Sequence, residues 1–312
     1  MEKQKVIIDT DPGVDDSAAI ILSLYDEFLD IVLITSVSGN VGIDLTTRNA
    51  LHLLEKYHRT EIPLARGAEK PMKRKPKDAT YIHQKSGMGG YVPPETVQTK
   101  PIEQDAVEAM YEKIKKYPGE IKIIALGPHT NLGNLLVKHP DVKDMISHIY
   151  CEGCSLNGYE NDDKRWANHL SFNVSSDPEA FYITTHSGIP LSIVPSKMGR
   201  ELANFTEEQI EEMGKINDTG KFLATMYKGY WERFYTDKRI ATNDTCAVLM
   251  CRNPSLFKTE KISIDVDLNE VPGKTTIHKD ENSKVELAVG VDKEKMHKFY
   301  FDAIRKLDRF KF

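Results

Sequence analysis

The chain has 312 residues and a net charge of −5, and it is 40% hydrophobic and 29% charged, which is ordinary for a globular protein. The acidic balance argues against a dedicated nucleic-acid binder, which carries a basic face, and no apolar run approaches the ~18 residues of a membrane span. The opening MEKQK leads into a short apolar run that does not read as a secretion signal, and the four cysteines read as reduced thiols of a cytoplasmic protein.

Short β-rich runs alternate with helical patterns. KVIID (5–9) reads as a strand and 17–25 as a helix; DIVLITSVSG (30–39) is a buried strand followed by a helix over 46–57; EIPLARG (61–67) is a strand. Residues 102–117 form an amphipathic helix stopped by Pro118-Gly119. IKIIALG (121–127), MISHIY (145–150) and PLSIVPS (190–196) are strands; 130–139, 177–187, 206–217 and 219–236 are helices. The near-continuous Val/Ile/Leu strands predict an α/β fold: a doubly wound, open, mostly parallel sheet with helices on both faces, forming a single domain over 1–312. Alternating runs after residue 258 (KISIDVDL, KTTIHK, KVELAVGV) predict a small antiparallel C-terminal extension before a final helix at 293–307. Two segments, 67–100 and 151–176, resist assignment. They leave the carboxyl ends of strands, where open α/β sheets bind ligands.

VIIDTDPGVDD places Asp9, Asp11, Asp15 and Asp16 within eight residues, straight after the first strand. Capping of the next helix by Asp15 or Asp16 accounts for one or two carboxylates. It does not account for four. Desolvated carboxylates repel one another unless something positive joins them, and a hard divalent cation does so. Calcium, with six to eight oxygen ligands, fits better than magnesium, which demands octahedral geometry and usually accompanies phosphate.

DTDPGVDD (9–16) resembles the N-terminal signature D-x-D-P-G-x-D-D of the inosine/uridine-preferring nucleoside hydrolases. The resemblance runs over most of the chain. It takes in VSGN (37–40) with RNA (48–50), HQKSGMGG (83–90), ALGPHTNL (125–132), FNVSSDPEA (172–180) and NDTCAV (243–248). It implies calcium-dependent hydrolysis of the N-glycosidic bond of a ribonucleoside or related riboside, giving ribose and free base. It further implies calcium held by Asp11, Asp16, Asp244 and the backbone carbonyl of Leu126, with Asp11 as base on a cation-bound water. Asp15 would accept from the sugar 2′-hydroxyl, Asn40 and Asn173 would hold sugar and water, and Asp9 would lie behind the ligands. The family often forms dimers or tetramers, so a homodimer or homotetramer is expected.

The chain departs from this pattern in three places. Asn243 stands where the family has the histidine assigned to leaving-group activation, and an amide is no general acid near neutral pH. Ser171 stands where the family has a glutamate that binds the 5′-hydroxyl. The stretch 152–170 does not align cleanly, so the family's loop asparagine corresponds to Asn168, to another asparagine or to none. His83 is the candidate substitute acid.

Other features have plainer readings. CEGC (151–154) lacks partners for a zinc site and reads as small residues lining the pocket at a strand end. The basic run over 70–77 reads as a solvated loop, with attraction of an anionic substrate as the alternative. YKGYWERFYTD (227–237) places aromatics at helical spacing: core packing, or stacking of Trp231, Phe234 or Tyr235 on the leaving base, with Trp166 a further lid candidate. Two other functions compete: a riboside-binding protein without turnover, and an Asp-dependent phosphotransferase starting from the D-x-D of the first strand.

Overall fold

Val6, Ile7 and Ile8 are consecutive and fully buried, which requires a strand covered on both faces. The computed structural model describes residues 3–156, 159, 170–234 and 239–309. In chain order its elements are β1 (Gln4–Thr10), α1 (Val14–Ser23), β2 (Leu29–Ser36), α2 (Ile43–Lys56), β3 (Leu64–Arg66), α3 (Thr80–His83) and α4 (Ala106–Lys116). Next come β4 (Ile121–Ala125), α5 (Thr130–Lys138), β5 (Ile146–Glu152), α6 (Phe172–Ser176), α7 (Pro178–Thr185), β6 (Leu191–Val194), β7 (Phe205–Thr206) and α8 (Glu207–Gly214). The chain closes with α9 (Asp218–Phe234), β8 (Arg239–Ile240), α10 (Asn243–Arg252), β9 (Phe257–Val266), β10 (Thr275–Lys279), β11 (Val285–Val291) and α11 (Lys293–Lys306).

The sheet runs β10-β9-β11-β6-β5-β4-β1-β2-β3, with β7 and β8 forming a separate two-stranded ribbon. β1 lies between β2 and β4 and pairs with both in parallel. Chain order therefore reverses at β1/β4, the switch point at which such sheets open a crevice. The alternation of strand side chains splits the core in two. Val6, Ile8 and Ile124 pack with residues of α1, α2, α9 and α10, while Ile7 and Ile123 pack with α4, α5 and α7 on the other face.

The doubly wound sheet and its C-terminal extension follow the expectation, with two corrections. β9 and β10 are antiparallel additions, but β11 runs parallel to β6 and joins the main sheet. The segment 67–100 is not wholly irregular, because α3 lies inside it. Among the described residues no helix is long and apolar enough to cross a membrane.

Past the end of β4, His129 packs its ring 5.0 Å from that of Phe181 on α7. It is 1% exposed, and neither ring nitrogen has a hydrogen-bond partner among the described residues. Burial pushes its pKa from 6.5 down to about 3. The unfolded chain thus binds a proton that the folded chain refuses, so stability is fully present above pH 6.5 and is lost as pH falls toward 3. Two pH units below the unfolded value this amounts to about 2–3 kcal/mol. The urea midpoint should fall between pH 7 and 4.5, and His129→Leu should show a smaller fall; equal slopes would remove His129 as a cause.

Candidate functional site

The site grows from the turn after β1. Gly13, not Asp15 or Asp16, caps α1; Asp15 and Asp16 sit inside its first turn, where the positive end of the helix favours negative charge. The Asp16 carboxylate reaches back over that turn. Its Oδ1 accepts from Thr10 Oγ1 (2.7 Å) and the Asp11 N–H (3.2 Å), and its Oδ2 from the Gly13 N–H and Asn40 Nδ2, both at 3.0 Å. Asp16 thus takes the capping part that accounts for one carboxylate, through the Gly13 N–H, and also knots the whole DTDPG turn.

Asp11 is wholly buried beside this knot. Its Oδ2 accepts from the Asn40 N–H at 2.7 Å, and its Oδ1 has no hydrogen-bond partner. The carboxylate fits only because Gly39 and Gly127 carry no side chain: a Cβ on either would come within 2.0 Å of Oδ2 or 2.6 Å of Oδ1. Burial first, then the charge of Asp16, hold its pKa well above the carboxylate range. Asp9 lies deeper. Its Oδ1 accepts from Thr35 Oγ1 (2.6 Å) and Asn131 Nδ2 (2.7 Å), and burial raises its pKa to about 6. Like Asp11 it is wholly buried and outside the pocket lining, with its Oδ1 committed to two donors and its Oδ2 without a hydrogen-bond partner among the described residues.

Asp244, on the first turn of α10, joins the group from the far side of the chain. Asp15, Asp16 and Asp244 each offer an oxygen, all within 4.8 Å of one another. Asp11 stands outside that set, and the Leu126 carbonyl borders the same pocket. Burial and the mutual repulsion of Asp15, Asp16 and Asp244 push the pKa values of Asp15 and Asp244 upward. An oxygen-only donor set, crowded like charge and a buried Asp11 Oδ1 without a donor all fit a hard divalent cation.

The remaining expectations fall out unevenly. Asn40 and Asn173 line the pocket; Asn173 Nδ2 donates to the Leu126 carbonyl (2.6 Å) and to Glu152 Oε2 (2.9 Å). Asn243 lines it too, with Oδ1 lacking a hydrogen-bond partner. His83 is no loop residue: it ends α3, buried, and its Nδ1 accepts from the Val14 N–H at 3.1 Å. That bond fixes the neutral tautomer with the proton on Nε2, and burial lowers the pKa to about 3. His83 thus keeps its Nε2–H as a donor, and burial disfavours its charged form. Trp231 lies on α9, with its side chain outside the described residues, as are Asn168, Trp166 and Tyr235 altogether. In the same aromatic stretch Tyr227 is core, its hydroxyl paired with that of Tyr300.

Two plainer readings are also corrected. Cys151 and Cys154 do not line the pocket; they are buried in the apolar core, and burial raises both thiol pKa values. Glu152 between them does line it, and the sequence offered no motif for it. The basic run is tied down rather than solvated throughout: Arg74 makes a bidentate pair with Glu179, and Lys77 donates to the Ser175 carbonyl. No residue of that run borders the pocket, whereas Arg200, from the π-helical turn Met198–Leu202, does.

In the cation's absence, removing one of the crowded carboxylates relieves repulsion. Asp244→Asn should therefore leave Tm unchanged or raise it by about 1–2 °C with chelator present, for a relief on the order of 1 kcal/mol. With an excess of a divalent cation that the cluster binds the order should invert, wild type melting higher. Wild type more stable than the variant under chelator as well would say the cluster is not strained by charge.

Residues 6–298 match the family described as "Inosine-uridine preferring nucleoside hydrolase". The chain is 33% identical over 273 residues to the non-specific ribonucleoside hydrolase RihC of Escherichia fergusonii, covering 87% of each, and 33% identical over 296 residues to that of Salmonella paratyphi C, covering 92% and 94%. Among solved structures it superposes on a plant nucleoside hydrolase, the PpNRh1 enzyme, with a TM-score of 0.89, 28% identity and 97% and 99% coverage. On a purine-preferring ribonucleoside hydrolase from Gardnerella vaginalis the TM-score is 0.87, at 26% identity and 98% and 100% coverage.

Proposed function

The chain belongs to the inosine-uridine preferring nucleoside hydrolase family and is an N-ribohydrolase, and from that premise we propose that it hydrolyses ribonucleosides with calcium held by Asp11, Asp16, Asp244 and the Leu126 carbonyl. The observation that carries this reading is the convergence of Asp15, Asp16 and Asp244 beside that carbonyl at the β1/β4 switch point.

A cation held by these residues would supply charge neutralisation and a more acidic water. Asp11 would serve as the base toward a water: Oδ2 is held by the Asn40 N–H, which orients the carboxylate, and Oδ1 is uncommitted. Asp15 accepts from the 2′-hydroxyl. The negative field of the cluster stabilises positive charge developing on the sugar ring as the glycosidic bond breaks. Asn40 ties Asp11 and Asp16 together as well as facing the sugar, and Asn173 holds the Leu126 carbonyl in place.

At the base end Asn243 and His83 supply hydrogen bonds and no proton. Trp231 and Tyr235 remain candidates to stack on the base. An amide at position 243 also favours a second reading, riboside binding without turnover, which the same assay separates.

Release of reducing sugar from a panel of purine and pyrimidine ribonucleosides should be seen with calcium and vanish with chelator; binding with no release from any would leave the binding reading. Asp11→Ala should lower kcat by about 10²–10⁴-fold, and Asp16→Ala should lose turnover together with the calcium-dependent rise in Tm. Full activity in either variant contradicts the assignment. Because His83 is neutral throughout this range, His83→Gln should keep the wild-type shape of the rate profile between pH 6 and 8. A limb lost from that profile would make His83 the acid after all.

A further inference from the structure

Glu152 is the last residue of β5, 6% exposed, with its carboxylate in the pocket. Its Oε1 accepts from Ser196 Oγ at 2.8 Å, just past β6, and its Oε2 from Asn173 Nδ2 at 2.9 Å, on α6. These two donors hold it in one orientation. A carboxylate offers about four lone-pair sites, so it can still accept from a ligand. Arg200 borders the same pocket, and its charge opposes the effect of burial on Glu152.

Ser171 cannot do this work. It is wholly buried, does not border the pocket, and spends its hydroxyl on the first turn of α6, where the Val174 N–H points at Oγ from 3.5 Å. It is nonetheless a spatial neighbour of Glu152: a Cβ on Gly153 would sit 3.5 Å from Ser171 Oγ. Glu152 also lies outside the group of three aspartates that draw together for a cation. With the sugar's 2′- and 3′-hydroxyls taken at that cluster, the hydroxyl left for Glu152 is the 5′.

We propose that Glu152 is the specificity residue for the 5′-hydroxyl, supplying from the end of β5 the carboxylate that position 171 lacks. This rests on the hydrolase reading and assigns a residue within it: a carboxylate held at the end of β5 accepts from a free 5′-hydroxyl and repels a 5′-phosphate.

The test is kcat/KM for a ribonucleoside against its 5′-deoxy analogue and its 5′-monophosphate. The wild type should prefer the ribonucleoside to the 5′-deoxy analogue by about 10- to 100-fold, the range of a hydrogen bond to a charged group, and should reject the monophosphate. Glu152→Ala should bring the preference over the 5′-deoxy analogue below about threefold, mostly by loss on the substrate that carries the hydroxyl. If that variant does not fold, Glu152→Gln, which keeps the volume, should lower the preference in the same direction. Both substrates falling together with the wild-type ratio retained would make Glu152 a structural residue and overturn the proposal. A wild-type ratio near one, or a better rate on the monophosphate, overturns it too, the latter assigning this end to Arg200. No release by wild type even from the ribonucleoside overturns the hydrolase reading itself and is thereby told apart.

Discussion

The Asp16 carboxylate accepts four hydrogen bonds, from Thr10, Asp11, Gly13 and Asn40, and the geometry of the site follows from that knot. It pins the turn between β1 and α1 and ties the loop after β2 to it through Asn40. Asn40 also holds the Asp11 carboxylate beside it in one orientation. An ionised acceptor makes each of these bonds stronger than a neutral one would. The positive end of α1 lies under the same carboxylate. Together these account for how buried negative charge is tolerated at the centre of the molecule.

The knot does not cancel the repulsion among Asp11, Asp15 and Asp244. Their pKa values are raised because burial and like charge both disfavour ionisation. Such a cluster is in tension as a fold element and poised as a binding element, since a divalent cation converts repulsion into coordination. The surrounding shell is built to keep the carboxylates from relaxing apart. Gly39 and Gly127 wall in Asp11, Asn131 fastens Asp9 behind it, and Gly199, whose added Cβ would sit 2.0 Å from Asn243 Oδ1, packs the π-helical turn onto the start of α10. That turn delivers both the wall against Asn243 and the Arg200 side chain, which fits the habit of π-bulges to occur at functional sites.

The pocket is consequently asymmetric. Its acidic floor keeps the carboxylates, the asparagines and the carbonyl that suit a sugar and a cation. The rest of its lining carries an amide at position 243, His83 committed to the α1 backbone, and Glu152 with Arg200, while the hydroxyl of Ser171 lies buried outside it.

Much was legible in the sequence because it was local. Period-two burial of Val6, Ile7 and Ile8 on two faces is written in the apolar run itself, and D-x-D-P-G-x-D-D places four carboxylates at a strand end whatever the rest does. The sequence thereby determined a doubly wound α/β sheet, an acidic cluster at the end of β1 and the family resemblance. The resemblance already implied that Asp244 joins Asp16; only tertiary structure decided that the acids drawn within 4.8 Å are Asp15, Asp16 and Asp244, through the placement of α10 against the switch point, with Asp11 outside that set. It also decided that β11 runs parallel to β6, that His83 is a buried acceptor for Val14, and that the glutamate between two core cysteines faces the pocket while the cysteines do not. The physical reason is the same in each case. Which way a side chain points at a strand end, and what pairs with it, depends on neighbours far away in the chain, and no pattern of spacing records them.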